Sequence, residues 1–227
     1  MKEERELRAW VRRVTSALER RLGVPNVRRR GDLIGSFVVT MLSQHTSDVN
    51  ADRAFAVLKG RFPDWDGVAH ASPRAIADAI RSAGLANQKS VRIRDFVRWV
   101  KATFGAYDLS PLRTMPTDEI TRLMTSVKGI GIKTVSVVEL FSLGREAFPV
   151  DTHVHRICRR VGLVPERATA EQTHRLMAPL VPPGKAMSLH VNLLRLGRTI
   201  CLARGPKCPE CPLRRMCDYA ARMYPVK

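Results

Sequence analysis

No run of apolar residues in this sequence approaches the roughly 20 needed to cross a bilayer, which argues against a membrane-spanning helix. The opening residues, MKEERELRAW, are charged and lack the apolar core of a secretory signal, so a reducing, cytoplasmic setting is expected. No stretch alternates polar and apolar residues for long, so no sheet is expected. Internal repeats and low-complexity tracts are also missing. Aromatic residues are only 6% of the chain, and no basic segment carries the aromatic face of a membrane-surface binder. A membrane partner is therefore not expected.

Acidic residues are scarce as well. Asp and Glu number 21 against 39 Lys and Arg, for a net charge of +18 in 227 residues. Such a field draws polyanions and speeds their encounter with the protein. The basic residues are densest at Arg28–Arg30, Arg92–Lys101 and Arg198–Lys207. Any one run reads most simply as a solvated helix face. The whole chain points to nucleic acid. Its length suffices for a sizeable core, divided between two small domains.

What the chain does show is helical periodicity. Leu7, Trp10, Val11, Val14 and Leu18 form one apolar stripe, and Ile34, Phe37, Val38, Met41 and Leu42 another. Ile93, Phe96, Val97, Val100 and Phe104 repeat the pattern, as do Ile120, Leu123, Met124 and Val127, then Val154, Ile157, Cys158 and Val161. Ser72-Pro73 and Pro116-Thr117 suit helix starts, the latter followed by Asp118 and Glu119. Gly84, Gly105, Gly144 and Gly162 stand where stripes end. The predicted fold class is all-α.

The segment VKGIGIKTVSVVELF, Val127 to Phe141, places Gly129 and Gly131 around Ile130 in a tight turn between two helices. Glycine allows a phosphate to approach the backbone closely, and the following helix start offers N–H groups and the positive end of a dipole. Lys128, Gly129, Ile130 and Gly131 are thus candidate DNA-binding residues. A G-x-G between helices can also be a plain corner. Lys133 then stands at a helix start, and Asp151 opens the next helix in VDTH, Val150 to His153. An amine placed there can attack a sugar carbon, and a carboxylate can steady the positive charge that develops as a base departs. Singly, Lys133 reads as a surface lysine and Asp151 as an N-cap.

Five cysteines in a reducing compartment suggest metal or redox chemistry rather than disulfides. Cys201, Cys208, Cys211 and Cys217 have the spacing C-x6-C-x2-C-x5-C. By chemistry alone, four thiolates in so short a loop suit either zinc or a cubane cluster. Cys158 lies on an apolar stripe and reads as a core thiol. His153 and His155 are not expected to bind metal.

These features together resemble the endonuclease III family of helix-hairpin-helix DNA glycosylases, over about Leu33 to Tyr219. The likeness rests on VKGIGIKT, on VDTH and on the cysteine spacing. It implies Lys133 as nucleophile, Asp151 as essential carboxylate, and a 4Fe–4S cluster on Cys201, Cys208, Cys211 and Cys217. Arg204 and Lys207, in the loop between the first two ligands, would face DNA phosphates. The segment MLSQHTSDVNADRAF resembles the family stretch that supplies a side chain to fill the gap left by a flipped base. Aligned on Asp48, it puts His45 rather than Gln44 at the family's glutamine position, and either could be the plug. The resemblance further implies a six-helix domain over 33–144, with its helix-hairpin-helix at 119–143. A cluster domain would be built from 1–32 and 145–227, its cysteine loop at 201–217, with DNA bent in a cleft between the two.

The implied activity is removal of a damaged base, an oxidised pyrimidine, from duplex DNA, followed by strand nicking through AP-lyase chemistry. The partner would be damaged double-stranded DNA and the enzyme a nucleoid-associated monomer. Two alternatives stand beside it: a monofunctional glycosylase of the same fold acting on alkylated or mismatched bases, and a non-enzymatic DNA-binding iron–sulfur protein.

Overall fold

The computed structural model describes residues 4–27 and 31–224, so the basic run Arg28–Arg30 lies outside the described residues. The described residues form α-helices, short 3-10 turns, one π-helical turn (Glu139–Leu143) and loops, with no strand among them. The chain divides into two compact units, Arg29–Leu143 and a second made of Met1–Arg28 with Gly144–Lys227.

The first unit holds α2 (Leu33–Leu42), α3 (Asp48–Arg61), α4 (Trp65–His70), α5 (Pro73–Ala79), α6 (Ala86–Phe104), α7 (Thr117–Thr125) and α8 (Ile132–Val138). Its centre is α2, all of whose residues are buried. A helix apolar on every side must be surrounded, and α2 packs against α3, α6 and α8. Its hydroxyls are satisfied locally: Thr40 Oγ1 donates to Ser36 O at 2.8 Å, and Ser142 Oγ donates to Ser36 Oγ at 2.8 Å. Asp32 caps the helix by accepting from Gly35 N at 3.0 Å. The aromatic centre of this core is Phe37, whose ring meets that of Phe96 at 5.5 Å in a tilted pair.

The second unit holds α1 (Glu4–Leu22), α9 (Thr152–Val161), α10 (Ala170–Met177), α11 (Ala186–Thr199) and α12 (Asp218–Met223). The stripe read on α1 buries Val11, Val14 and Leu18 against α11. Glu19 of α1 accepts from Lys185 Nζ at 3.1 Å and from Ser188 Oγ at 2.6 Å. Asn192 of α11 donates to Gly23 O at 2.9 Å. The N-terminal helix is thereby fastened to residues more than 160 positions away in sequence.

Helix ends fall where the sequence signals them. Ser72 caps α5 with Pro73 in its first turn, while Gly105 and Gly162 close α6 and α9 in the left-handed conformation. No helix among the described residues is long and apolar enough to cross a membrane.

Phe37→Ala is expected to destabilise the first unit by about 3–5 kcal/mol, the usual cost of emptying a closed aromatic site. Denaturant unfolding measures this directly; a loss under about 1 kcal/mol would mean that α2 is not the packed centre.

Candidate nucleic-acid interface and metal centre

The turn between α7 and α8 is built by two apolar anchors. Val127 and Ile130 are buried, while Val127 N donates to Met124 O at 3.2 Å and Ile130 N to Val127 O at 3.0 Å. Gly129 has φ 94, a region that L side chains avoid. A Cβ there would stand 2.9 Å from Cδ of Arg92. Arg92 of α6 therefore lies directly against the turn. Gly131 differs: its backbone is extended, with φ −101, and a Cβ would meet nothing within 4 Å. Neither conformation nor internal packing asks for glycine at Gly131. After it α8 begins without a side-chain cap. Lys128 is exposed on the turn and Lys133 is half-buried in the first turn of α8. A hollow of about 590 Å³ runs along α6 beside the turn, lined by Arg92, Trp99, Val127 and Lys128 among others.

Gln44 and His45 lie just past the end of α2, in the same unit. Gln44 Nε2 donates to Gly129 O at 3.3 Å, so the structure joins these two sequence-predicted positions. His45 is exposed, with φ 57. Beneath this turn sits a residue that the sequence reading missed. Lys89 of α6 is 3% exposed, and its Nζ donates to Leu42 O at 2.7 Å, Gln44 O at 2.6 Å and Ala83 O at 2.8 Å. An ammonium has three donors and a neutral amine two, so the three carbonyls require the charged form. Burial pushes the Lys89 pKa below its ordinary value; the three carbonyl dipoles act the other way. The signal was visible in its register: Lys89 lies on the stripe of Ile93, Phe96, Val97 and Val100, where a charge has no solvent.

In the second unit Asp151 is the N-cap of α9, its Oδ1 accepting from Val154 N at 2.8 Å. Two arginines on this helix, one turn apart, reach the cysteine loop. Arg156 donates to Gly197 O at 2.9 Å and to Cys201 O at 2.9–3.0 Å, and its guanidinium lies 3.0 Å from His153 Nδ1. Arg160 donates to Leu202 O at 2.7 Å, to Ala203 O at 3.1 Å and to Cys201 Sγ at 3.3 Å. It also stacks over the Tyr219 ring at 4.6 Å. Cys217 Sγ donates to Arg160 O at 3.2 Å. The helix opened by Asp151 is thus the wall on which the cysteine loop hangs. Arg204 and Lys207 are exposed on that loop. Neither Arg156 nor Arg160 was singled out from sequence. Their i, i+4 spacing on one helix face is the signal that could have found them.

No group of three or more His, Cys, Asp or Glu side chains among the described residues is placed so that it could hold a metal ion. The four loop cysteines nevertheless act on one another. Burial, then the neighbouring Cys201, push the Cys208 thiol up. Cys211 is pushed up to about 11, first by burial and further by the other three. Burial is again the main cause at Cys217, with Cys201 and Cys208 adding to it. Four soft donors that repel one another when ionised fit a polycationic group that would neutralise them. Cys158 stands apart. It is fully buried, and its thiol is pushed up to about 12, by burial first and by Asp151 second. His155 is taken up by a contact of 2.9 Å between its Nδ1 and Thr173 Oγ1.

A glycine turn between two helices, a helix capped by an aspartate and a four-cysteine loop on an all-α frame define a helix-hairpin-helix protein. The family model described as "HhH-GPD superfamily base excision DNA repair protein" matches residues 38–183. The chain belongs to this superfamily, within its endonuclease III-like family. It is 30% identical to the endonuclease III of Thermotoga maritima over 87% of this chain and 88% of that protein. It is also 36% identical to a candidate DNA glycosylase of Arabidopsis thaliana, over 73% of this chain and 57% of that one. Protein ROS1A of Oryza sativa is 33% identical over 71% of this chain, which spans 9% of that much longer relative. Among solved structures, a non-covalent endonuclease III–DNA complex superimposes with a TM-score of 0.82 at 20% identity, covering 98% of this chain and 99% of the other. A thermostable thymine-DNA glycosylase gives 0.80 at 19%, covering 94% and 98%. At such identities the likeness is one of fold.

The two glycines of the hairpin should separate in a thermal-unfolding comparison. Gly129→Ala forces a side chain into a positive-φ site against Arg92 and is expected to cost about 1–3 kcal/mol. Gly131→Ala should leave stability within about 0.5 kcal/mol of wild type. Equal losses would refute the geometry of the turn.

Proposed function

We propose that this protein is a base-excision repair DNA glycosylase with AP-lyase activity. The observation that carries the reading is Lys133 in the first turn of α8, immediately after a glycine turn whose Gly131 is left uncovered. A phosphate approaching that turn would use the space beside Gly131, with Lys128 and the helix start supplying positive charge. The endonuclease III structure that shares this fold is a complex with DNA, which supports DNA as the partner.

In this reading Asp151 steadies the sugar cation as the glycosidic C–N bond breaks. The neutral Lys133 amine attacks C1′. The base leaves with one amine proton; the nitrogen lone pair then forms a second bond to C1′ as C1′–O4′ breaks, and the remaining amine proton passes to O4′, giving an imine. Loss of a C2′ proton then expels the 3′ phosphate and nicks the strand, and water hydrolyses the imine to free the lysine. A monofunctional glycosylase would have no use for an amine here, so Lys133 favours the lyase over that alternative. The substrate follows from the endonuclease III resemblance: an oxidised pyrimidine in duplex DNA. His45 is the better candidate to fill the gap left by the base, because Gln44 is already bonded to Gly129 whereas His45 is exposed. Arg204 and Lys207 would meet the phosphate backbone. The protein would act as a monomer at the nucleoid of a cytoplasm.

Cys201, Cys208, Cys211 and Cys217 would hold a 4Fe–4S cluster, which supplies charge neutralisation and a fixed shape to the loop and no bond-breaking step. The purified protein should contain about four iron and four sulfide per chain, lost together in Cys208→Ser. Zinc in place of iron would overturn the cluster.

Borohydride reduction with lesion-bearing duplex should trap wild type covalently and fail to trap Lys133→Gln. Asp151→Asn separates chemistry from capping, since Asn caps a helix as well as Asp does. It should keep wild-type thermal stability and lose base excision by two orders of magnitude or so. Base release by wild type without any trapped species would replace this reading with the monofunctional one. Unchanged turnover in Asp151→Asn would reduce Asp151 to a cap.

A further inference from the structure

We infer that Lys89 is a positioning residue: its buried ammonium holds the turn carrying Gln44 and His45 in the shape from which a side chain enters the gap left by an extruded base. The inference rests on the proposed action on extrahelical bases. It adds a residue that touches neither DNA nor the reacting atoms.

The turn is strained. Among the described residues, His45 and Leu85 are the non-glycine residues with positive φ, a conformation that persists only where the surroundings over-determine it. Both stand beside carbonyls that Lys89 holds. Gln44 O immediately precedes His45, and Ala83 O lies two residues before Leu85. The backbone's own bonds in the first turn are long: Gln44 N to Met41 O is 3.3 Å and Thr46 N to Ser43 O is 3.4 Å. The shortest bonds reaching its backbone come from Lys89, at 2.6 Å to Gln44 O and 2.7 Å to Leu42 O. Gln44 in turn reaches Gly129 O at 3.3 Å. One cation therefore sets the plug turn relative to the turn before α6, and through Gln44 relative to the hairpin. Filling space alone would not explain the choice of residue. An apolar side chain fills a buried site without the expense of desolvating a charge.

The test is the preference for a duplex carrying a tetrahydrofuran abasic analogue over the same duplex undamaged, measured by equilibrium binding below each variant's unfolding midpoint. Lys89→Met is expected to bind undamaged duplex within twofold of wild type. Its affinity for the tetrahydrofuran duplex should fall about tenfold, since a misplaced contact is lost only where the gap exists. His45→Ala, or Gln44→Ala if that residue is the plug, should lose the same preference, and joining it to Lys89→Met should add little further loss. That non-additivity is what a merely structural lysine would not produce. If Lys89→Met does not fold, Lys89→Arg enters the same cycle and should show a smaller, equally non-additive loss.

Unchanged preference in the Lys89 variant overturns the inference. So does a loss additive with both plug variants, or a wild type that shows no preference. The enzyme reading fails separately, through absent base release, and binding preference decides the role of Lys89 in either case.

Discussion

The first unit depends on one cation that is almost fully buried. The Lys89 ammonium meets three main-chain oxygens that belong to two different turns, and no partner of opposite charge is among these contacts. Removing it would leave buried carbonyls unmet, each costing about 1–3 kcal/mol. Buried α2 could not end where it does without some such donor, because the last carbonyls of a helix need partners and here solvent cannot serve. What looks like a core device thereby decides the geometry of a surface turn.

The second unit solves a related problem in the same currency. Arg156 and Arg160 reach from α9 to the carbonyls around Cys201 and fasten the loop to that helix. A polycation usually suggests a uniformly charged exterior. Here several of its charges face inward or sideways onto main-chain oxygens, and the positive field offered to a polyanion comes from the rest. Composition reports the sum and conceals this division.

Much of the architecture was legible because helix periodicity is local. The stripes on α1, α2, α6 and α9 became the packed faces, and Gly105 and Gly162 close helices as their positions suggested. The hairpin was legible because a glycine pair between apolar anchors admits few conformations. For Lys89, Arg156 and Arg160 only the position on a helix face was legible; the main-chain carbonyls they meet lie 6 to 47 residues away in sequence and carry no letter. The bond from Gln44 to a carbonyl 85 residues away was equally hidden. Asp151 shows the opposite case: its role as the N-cap of α9 is local, and its place just before the helix announced it.

The chain carries five thiols, and a soft metal arriving before folding would find all of them alike. Closure of α9 over Cys158 ends that equivalence, since a thiol sealed in hydrocarbon and reluctant to ionise cannot compete for a cation. In the proposed cluster reading, burial thus sets Cys158 apart from the four loop cysteines.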